Sequence, residues 1–412
     1  MALPASLHPL LRVWSYRNFA LFMGGMGPSL VTLWMQRVGV GWLAWELTHS
    51  PVWLGIIAAA DLGPMLLIGP FAGAVTDRGN PLLQIRITQG LFVLQAATLS
   101  MVTLAGWTTI ELLFALSLFS GCVQPFGSTA RYALVPSTIP RDAFAIAIAT
   151  DSALFNGSRF IGPAAAGLMI PSFGVGGTFV IHTFGCAVFL TGVSLIRMAP
   201  PDRSGRRRGN LASDVVEGLA YVRTHAGIGP LFLLLVVLSI FIRPVQDMLP
   251  GFAGSVLQSD AVGLAWLTSG MGIGAMVSAV AIAMRGHVAG LTHNVVLATL
   301  GLALATLGFI ATDILWISVV FSVLIGFTFN NVSTGMQTLV QSAVANELRG
   351  RIMGLYSLIY RGIPAVGGLA VGALAETFGL RLTFAVAACF ALAAWCFIAP
   401  KRHVITSAVE RG

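Results

Sequence analysis

The chain is a succession of long apolar stretches separated by short polar ones. Twelve such stretches can be marked, at roughly 19–46, 52–76, 83–105, 108–130, 142–170, 174–198, 228–254, 260–285, 291–311, 313–341, 350–376 and 379–399. About 20 apolar residues suffice to cross the hydrocarbon core as an α-helix. The pattern therefore predicts an all-α polytopic membrane protein with twelve transmembrane helices. Short segments alternating apolar and polar residues, as a membrane β-barrel requires, are absent. The stretch from Met1 to Asn18 has no small-residue cleavage site after a short apolar core, so the first stretch is expected to remain as a span rather than be removed as a signal peptide.

The second half of the pattern echoes the first. TARYALVPSTIPRDAFAIAIATDSALFNGSRFIGPAAAGLM from Thr129 aligns with TGMQTLVQSAVANELRGRIMGLYSLIYRGIPAVGGLAVGAL from Thr334 at an offset of 205. Gly157, Gly162 and Gly167 then fall on Gly362, Gly367 and Gly372. Equivalent spans in two halves are the mark of a transporter whose substrate site lies between them. The longest polar stretch, PPDRSGRRRGNLASDVVEGLAYVRTH, lies near the midpoint. It divides the chain into an N-terminal six-helix half (1–198), a linker (199–227) and a C-terminal six-helix half with a short tail (228–412). Val215, Leu219 and Val222 are apolar at helical spacing, so part of the linker is expected to lie along the inner membrane face.

Composition agrees with this class: 56% of residues are hydrophobic and 9% charged. The net charge of +8 comes from 23 Lys and Arg against 15 Asp and Glu. Such a surplus could suggest nucleic acid, but its placement does not. The basic residues gather at the termini and in the even-numbered loops, and the odd-numbered loops hold only Arg381. The positive-inside rule then puts both termini in the cytoplasm, as an even number of spans requires. Arg206, Arg207 and Arg208 read as a topology anchor touching lipid headgroups. The expected setting is a bacterial inner membrane, with membrane lipids as partners and no nucleic acid. Cys122, Cys186, Cys389 and Cys396 all fall inside spans without paired spacing and read as small packing residues. No phosphate-binding loop of the G-x-x-x-x-G-K-[ST] type occurs, so ATP hydrolysis on this chain is not expected to drive transport. No nucleophile or metal-ligand constellation appears in a loop, so no enzyme, cofactor or metal site is expected.

Gly73-Ala74-Val75-Thr76-Asp77-Arg78 after the second span looks like the G-x-x-x-D-R signature of the major facilitator superfamily. LTHSPVWLG from Leu47 and QTLVQSAVANELRGRIMGLYS from Gln337 resemble its drug-and-siderophore exporter group, typified by the enterobactin exporter and macrolide efflux proteins. Gly162-Pro163 followed by Gly167 is similar to the antiporter signature of proton-coupled exporters, and can also be read simply as a helix bend. The resemblance covers nearly the whole chain. It implies two pseudo-symmetric halves, and a latch in which Gly73, Asp77 and Arg78 meet the start of the eleventh span near Arg349, Gly350 and Arg351. A helix N-terminus would hold Asp77 there through its dipole and free N–H groups. Two features depart from the pattern: Gly79-Asn80-Pro81-Leu82 replaces the usual glycine and basic pair, and the fourth span lacks a buried arginine.

Seven ionisable residues fall deep in predicted spans: Arg37, Asp61, Asp151, Arg159, Arg243, Asp247 and Arg361. Charges there are costly and mark functional candidates. Arg37 and Asp61 sit at similar depth and are plausible partners. An alignment at an offset of 210 places Gln36-Arg37 on Gln246-Asp247, and Arg243 and Asp247 share a helix face. These four read as a charge cluster near the outer gate, either static or remade between states. Asp151 has no basic residue one turn away in its own helix and is the first candidate for a proton carrier, with Asp61 and Asp247 behind it. Asn156, Arg159, Arg361, Asn330, Asn331, Gln36 and Gln246 are the candidates for a substrate cavity. His182 reads as a packed or hydrogen-bonded histidine. Trp42, Trp45, Trp53, Trp107 and Trp316 read as anchors at the outer interface.

The expected protein is a monomeric secondary transporter that exports a small amphipathic molecule in exchange for protons. The rivals are a lysophospholipid flippase, a nutrient uptake carrier, and a sensor or assembly factor that keeps the fold without transport.

Overall fold

The computed structural model describes residues 13–140, 143–198 and 211–410. The arginine run 206–208, and with it the first part of the linker, lies outside the described residues.

The first span is α1 (Arg17–Thr48). The second is built from α2 (Pro51–Leu62) and α3 (Pro64–Arg78), the third is α4 (Pro81–Leu104) and the fourth α5 (Ile110–Leu134). The fifth and sixth share α6 (Phe144–Leu195), which is interrupted at Gly174, and α7 (Leu211–Thr224) lies in the linker. The seventh span opens as α8 (Ile228–Val237). The remaining five are α9 (Ala261–Arg285), α10 (Leu291–Ile310), α11 (Leu315–Ala343), α12 (Asn346–Phe378) and α13 (Leu380–Ile398), followed by the short α14 (Arg402–Val409). Among the described residues ten helices are long and apolar enough to cross a membrane, one of them the 50-residue stretch Ile146–Leu195. Gly174, with φ 64°, breaks that stretch into two spans in a conformation that glycine tolerates. With the 32-residue α1, which polar residues make less apolar, the chain crosses the membrane twelve times.

Three local features were not expected from hydropathy. Pro64 lacks the N–H that would reach the Ala60 carbonyl, and Gly121 of α5 packs its Cα against that carbonyl. Beyond α8 the seventh span passes through wide and tight turns at Leu238–Ile242, Arg243–Gln246 and Phe252–Val256. Pro244 and Pro250, which cannot donate within it, accompany that irregularity. Asn80, in place of the superfamily's usual residues, caps α4: its Oδ1 accepts from the N–H groups of Leu82 (2.9 Å) and Leu83 (3.3 Å), with Pro81 at the first helical position.

The repeated glycines mark the seams of the fold. A Cβ on Gly162 would lie 2.5 Å from Trp34 Cβ on α1, and one on Gly167 2.9 Å from Ala265 Cβ on α9. Their counterparts do the same in the other half: Gly367 presses on the Ile240 carbonyl of the seventh span, and Gly372 on the second span, 2.8 Å from the Pro51 carbonyl. The fifth and eleventh spans are thus each bound to their own half by one glycine and to the opposite half by the next. Gly162, Gly367 and Gly372 need small residues because backbone meets backbone there.

The described ends of the chain lie on the face of the even-numbered loops, Val13 packing with Leu82 and Ile196 and Glu410 meeting Gly290. On the opposite, far face the halves touch along α2 with α12, α6 with α9, and α1 with the seventh span. Trp45 is buried there against Gly251 and Gly254, so it is an inter-half packing residue and not an interfacial anchor. Toward the termini face, Gly73, Gly157, Gly350 and Gly354 have open space where a Cβ would be.

The C-terminal tail is docked by a cap. Glu410 accepts from the N–H groups of Gly290 (2.6 Å) and Thr292 (2.7 Å) at the start of α10. Burial pushes its carboxyl up, but these bonds and the Arg285 charge outweigh it and hold the group below the usual glutamate value. The docking contribution is therefore complete above about pH 4.3 and is lost as pH falls through the lower folded-state value. Hydrogen exchange across 402–409 should accelerate in that acid window, and Glu410→Gln should abolish the step; wild-type protection that ignores pH would contradict the assignment.

Candidate functional site

A cavity of ≈ 1180 Å³, mouth included, lies between the halves. The first five spans line it from one side and the seventh and eighth from the other. Arg37 and Asp61 enter from the first and second spans and form an ion pair at 2.9 Å, each about one-third exposed to the cavity. Arg243 and Asp247 enter from the irregular part of the seventh span, their closest approach 3.5 Å. That contact is weak in geometry, and Asp247 Oδ2 is buried without a hydrogen-bond partner. Arg159, from the middle of the fifth span, reaches the same space.

Local backbone chemistry places these groups. Pro163 cannot donate to the Arg159 carbonyl four residues back, and Gly272 of α9 fits against it, leaving 2.5 Å for a Cβ. The arginine backbone is thereby clamped between two halves of the protein. Trp34 completes the wall: the guanidinium carbons of Arg37 and Arg159 lie 5.0 and 5.4 Å from its ring centre, within cation–π reach. Gln36 donates weakly to Gln95 Oε1 at 3.5 Å, and Gln246 lines the cavity opposite.

Other expected site residues stand elsewhere. Asp151 pairs with Arg131 of α5, a partner on a neighbouring helix that spacing within its own helix does not reveal. It does not line the cavity, so its place as first candidate passes to Asp247. Asn156 donates to the Ser152 carbonyl of its own helix. Arg361 reaches across the halves to the Tyr132 hydroxyl at 3.0 Å. Asn330 and Asn331 are buried in α11, with Asn330 Nδ2 and Asn331 Oδ1 unpartnered. None of these four lines the cavity in this conformation. His182 is hydrogen-bonded to Thr32 at 3.1 Å, away from it.

The latch residues are on the termini face. Asp77 and Arg78 are exposed at the end of α3, and Gly73 and Gly350 face open space. Arg349 donates to the Val344 carbonyl at 3.3 Å, and Arg351 pairs with Glu217 of the linker helix. An equivalent contact is made on the far face, and hydropathy did not point to it. Glu376, in the last turns of α12, accepts from Ser50 Oγ at 2.8 Å and from the Val52 N–H at 3.4 Å, capping α2. Trp34, Arg131 and Glu376 were all missed as functional candidates, because only their contacts across helices distinguish them.

The family model described as transmembrane secretion effector matches residues 19–407. The multidrug efflux pump Tap of Mycolicibacterium fortuitum is 25% identical over 89% of this chain and 90% of its own length. The staphyloferrin A transporter of Staphylococcus aureus is 22% identical over 90% of each chain. Among solved structures, a bacterial homologue of the lysosomal transporter Spinster, inward-facing and unoccupied, superposes with a TM-score of 0.71 at 14% identity, covering 96% of this chain and 98% of that one.

Proposed function

Since the chain belongs to the transmembrane secretion effector family, whose relatives are transporters of the major facilitator type and not enzymes, we propose that it exports a small amphipathic molecule across the bacterial inner membrane in exchange for protons. The observation that carries this reading is the charged cavity lined by both halves, beneath a far face where Glu376 of α12 caps α2. In this reading the positive residues of the even-numbered loops put the termini face in the cytoplasm, and the cavity loads from inside. Efflux in Tap and siderophore transport in the staphylococcal relative favour export over uptake and over lipid flipping. The protein is read as a monomer, since each half finds its partner within the chain.

Alternating access follows from one pair of helices. Glu376 near the end of the eleventh span caps the N-terminus of the second, and in this reading Asp77 at the end of the second span serves the N-terminus of the eleventh in the converse state. Here the Glu376 contact is made, and Gly73 and Gly350 toward the other face have room for a Cβ. Rocking the halves in this reading trades closure at the Glu376 end for closure at the other. Glu376→Gln should weaken the outer closure by up to about 1 kcal/mol, or roughly fivefold in the balance of states. Labelling of cavity cysteines by a membrane-impermeant thiol reagent from outside should rise accordingly. Unchanged labelling in folded protein would count against the contact as a gate.

The proton carrier in this reading is Asp247, the cavity carboxylate with an oxygen left unpartnered. In a host lacking its own efflux pumps, expression should lower accumulation of a panel of amphipathic antibiotics, and an uncoupler should restore it. Raised accumulation would indicate uptake instead, and no change with any compound would favour a protein that keeps the fold without transport.

A further inference from the structure

The charges in and around the cavity do not cancel. Arg37 is matched by Asp61, Arg243 by Asp247, and Arg131 nearby by Asp151. Among the described residues Arg159 has no carboxylate within ion-pair distance and makes no hydrogen bond through its guanidinium, whose contact is the face of Trp34. Its nitrogens are not among the buried unpartnered atoms, so they open onto the cavity it lines. The Trp34 indole N–H beside it is buried and also lacks an acceptor. Arg159, a full positive charge, therefore faces a space whose two carboxylates, Asp61 and Asp247, each lie against another arginine. A charge held in that state within a membrane is costly unless a counter-charge arrives.

We propose that the cavity takes an organic anion, an amphipathic molecule with a carboxylate or another single oxyanion that pairs with Arg159. The inference rests on the transport reading above and adds the class of cargo. The guanidinium fork receives the oxyanion, and Trp34 lies alongside. Val38, Leu54, Ile57, Leu264 and Met271 supply an apolar wall for the rest of the molecule. A cation would meet an uncompensated positive charge in the same desolvated space. Glycine at 272 and proline at 163 serve this arrangement by fixing the Arg159 backbone, so the binding group is preorganised and loses little freedom when the cargo arrives.

The test reads the potential of the cavity directly. Thr268 lines it and bonds only to carbonyls of its own helix. In Thr268→Cys protein with the four native cysteines replaced by alanine, the labelling rates of anionic sulfonatoethyl and cationic trimethylammonioethyl methanethiosulfonate are compared, each normalised to a free thiol. The anionic reagent should be favoured by at least about tenfold, since the same unit charge attracts one reagent and repels the other. Arg159→Gln should bring the ratio close to one and Arg159→Lys should preserve most of it. The anion 2-naphthoate should protect the cysteine, while 2-naphthylmethylamine should not. A ratio near one in the parent protein, or equal protection by the amine, would overturn the inference and leave transport intact. Should Arg159→Gln fail to fold, the parent ratio and the naphthoate protection still decide the matter. Failure of both reagents to reach the cysteine would overturn the transport reading itself, and the inference with it.

Discussion

Asp247→Asn should separate exchange from uphill transport. The carboxylate has one oxygen 3.5 Å from Arg243 and the other buried without a donor. A proton on the second oxygen supplies the missing hydrogen, and its departure restores the charge that Arg243 faces. Asparagine keeps the shape and fixes the neutral form, so the variant should still carry bound substrate between faces. Exchange at equal concentrations should remain within about threefold of wild type, whereas concentration driven by an imposed pH gradient should be lost by tenfold or more, the scale on which one acid–base group matters. Parallel loss of both activities would make Asp247 structural. Uphill export surviving in Asp247→Asn would move the proton to Asp61.

The Arg37–Asp61 pair carries the second large effect. Its members are about one-third exposed to the cavity, so the cost of removing one lies between the ~1 kcal/mol of an exposed pair and the 3–5 kcal/mol of a buried one. Arg37→Ala leaves Asp61 facing low dielectric alone, and Asp61→Ala leaves Arg37 so. Each should reduce transport by at least about tenfold, since about 1.4 kcal/mol is a factor of ten. The exchange of charges, Arg37→Asp with Asp61→Arg, should recover part of the loss in the same vesicles. A double variant no better than the worse single one would show that position matters more than pairing.

Much of the fold was legible from hydropathy, because span length is set by membrane thickness and a lipid-facing helix must be apolar. The repeat added the two-half arrangement: Gly162 and Gly167 with Gly367 and Gly372 proved to be the packing seams. Irregularities within spans were less legible. The turns after Val237 and the merged fifth and sixth spans depend on which carbonyls proline leaves free and on one positive-φ glycine. The cavity was half legible. Arg37, Asp61, Arg243, Asp247, Arg159, Gln36 and Gln246 all line it, since an intramembrane charge or amide needs a reason to be there. The partner of Asp151 was not legible, because Arg131 is twenty residues away on another helix. Trp34 looked like one apolar residue among many, and its role comes from two arginines that only the tertiary fold brings to it.

Alternating exposure of one cavity is the centre of this account, and distances on the two faces measure it most directly. Spin labels at Trp107→Cys with Ile314→Cys, both exposed in far-face loops, report the outer gap between the halves; Leu83→Cys with Met284→Cys, both exposed near the other face, report the inner one. Pulsed electron paramagnetic resonance on reconstituted protein should find the outer distance predominantly at its shorter value and the inner one at its longer value at neutral pH. Acidification should populate the converse arrangement, with the outer distance lengthening as the inner one shortens. Both distances staying fixed, or both lengthening together, across the pH range in which transport is active would contradict it.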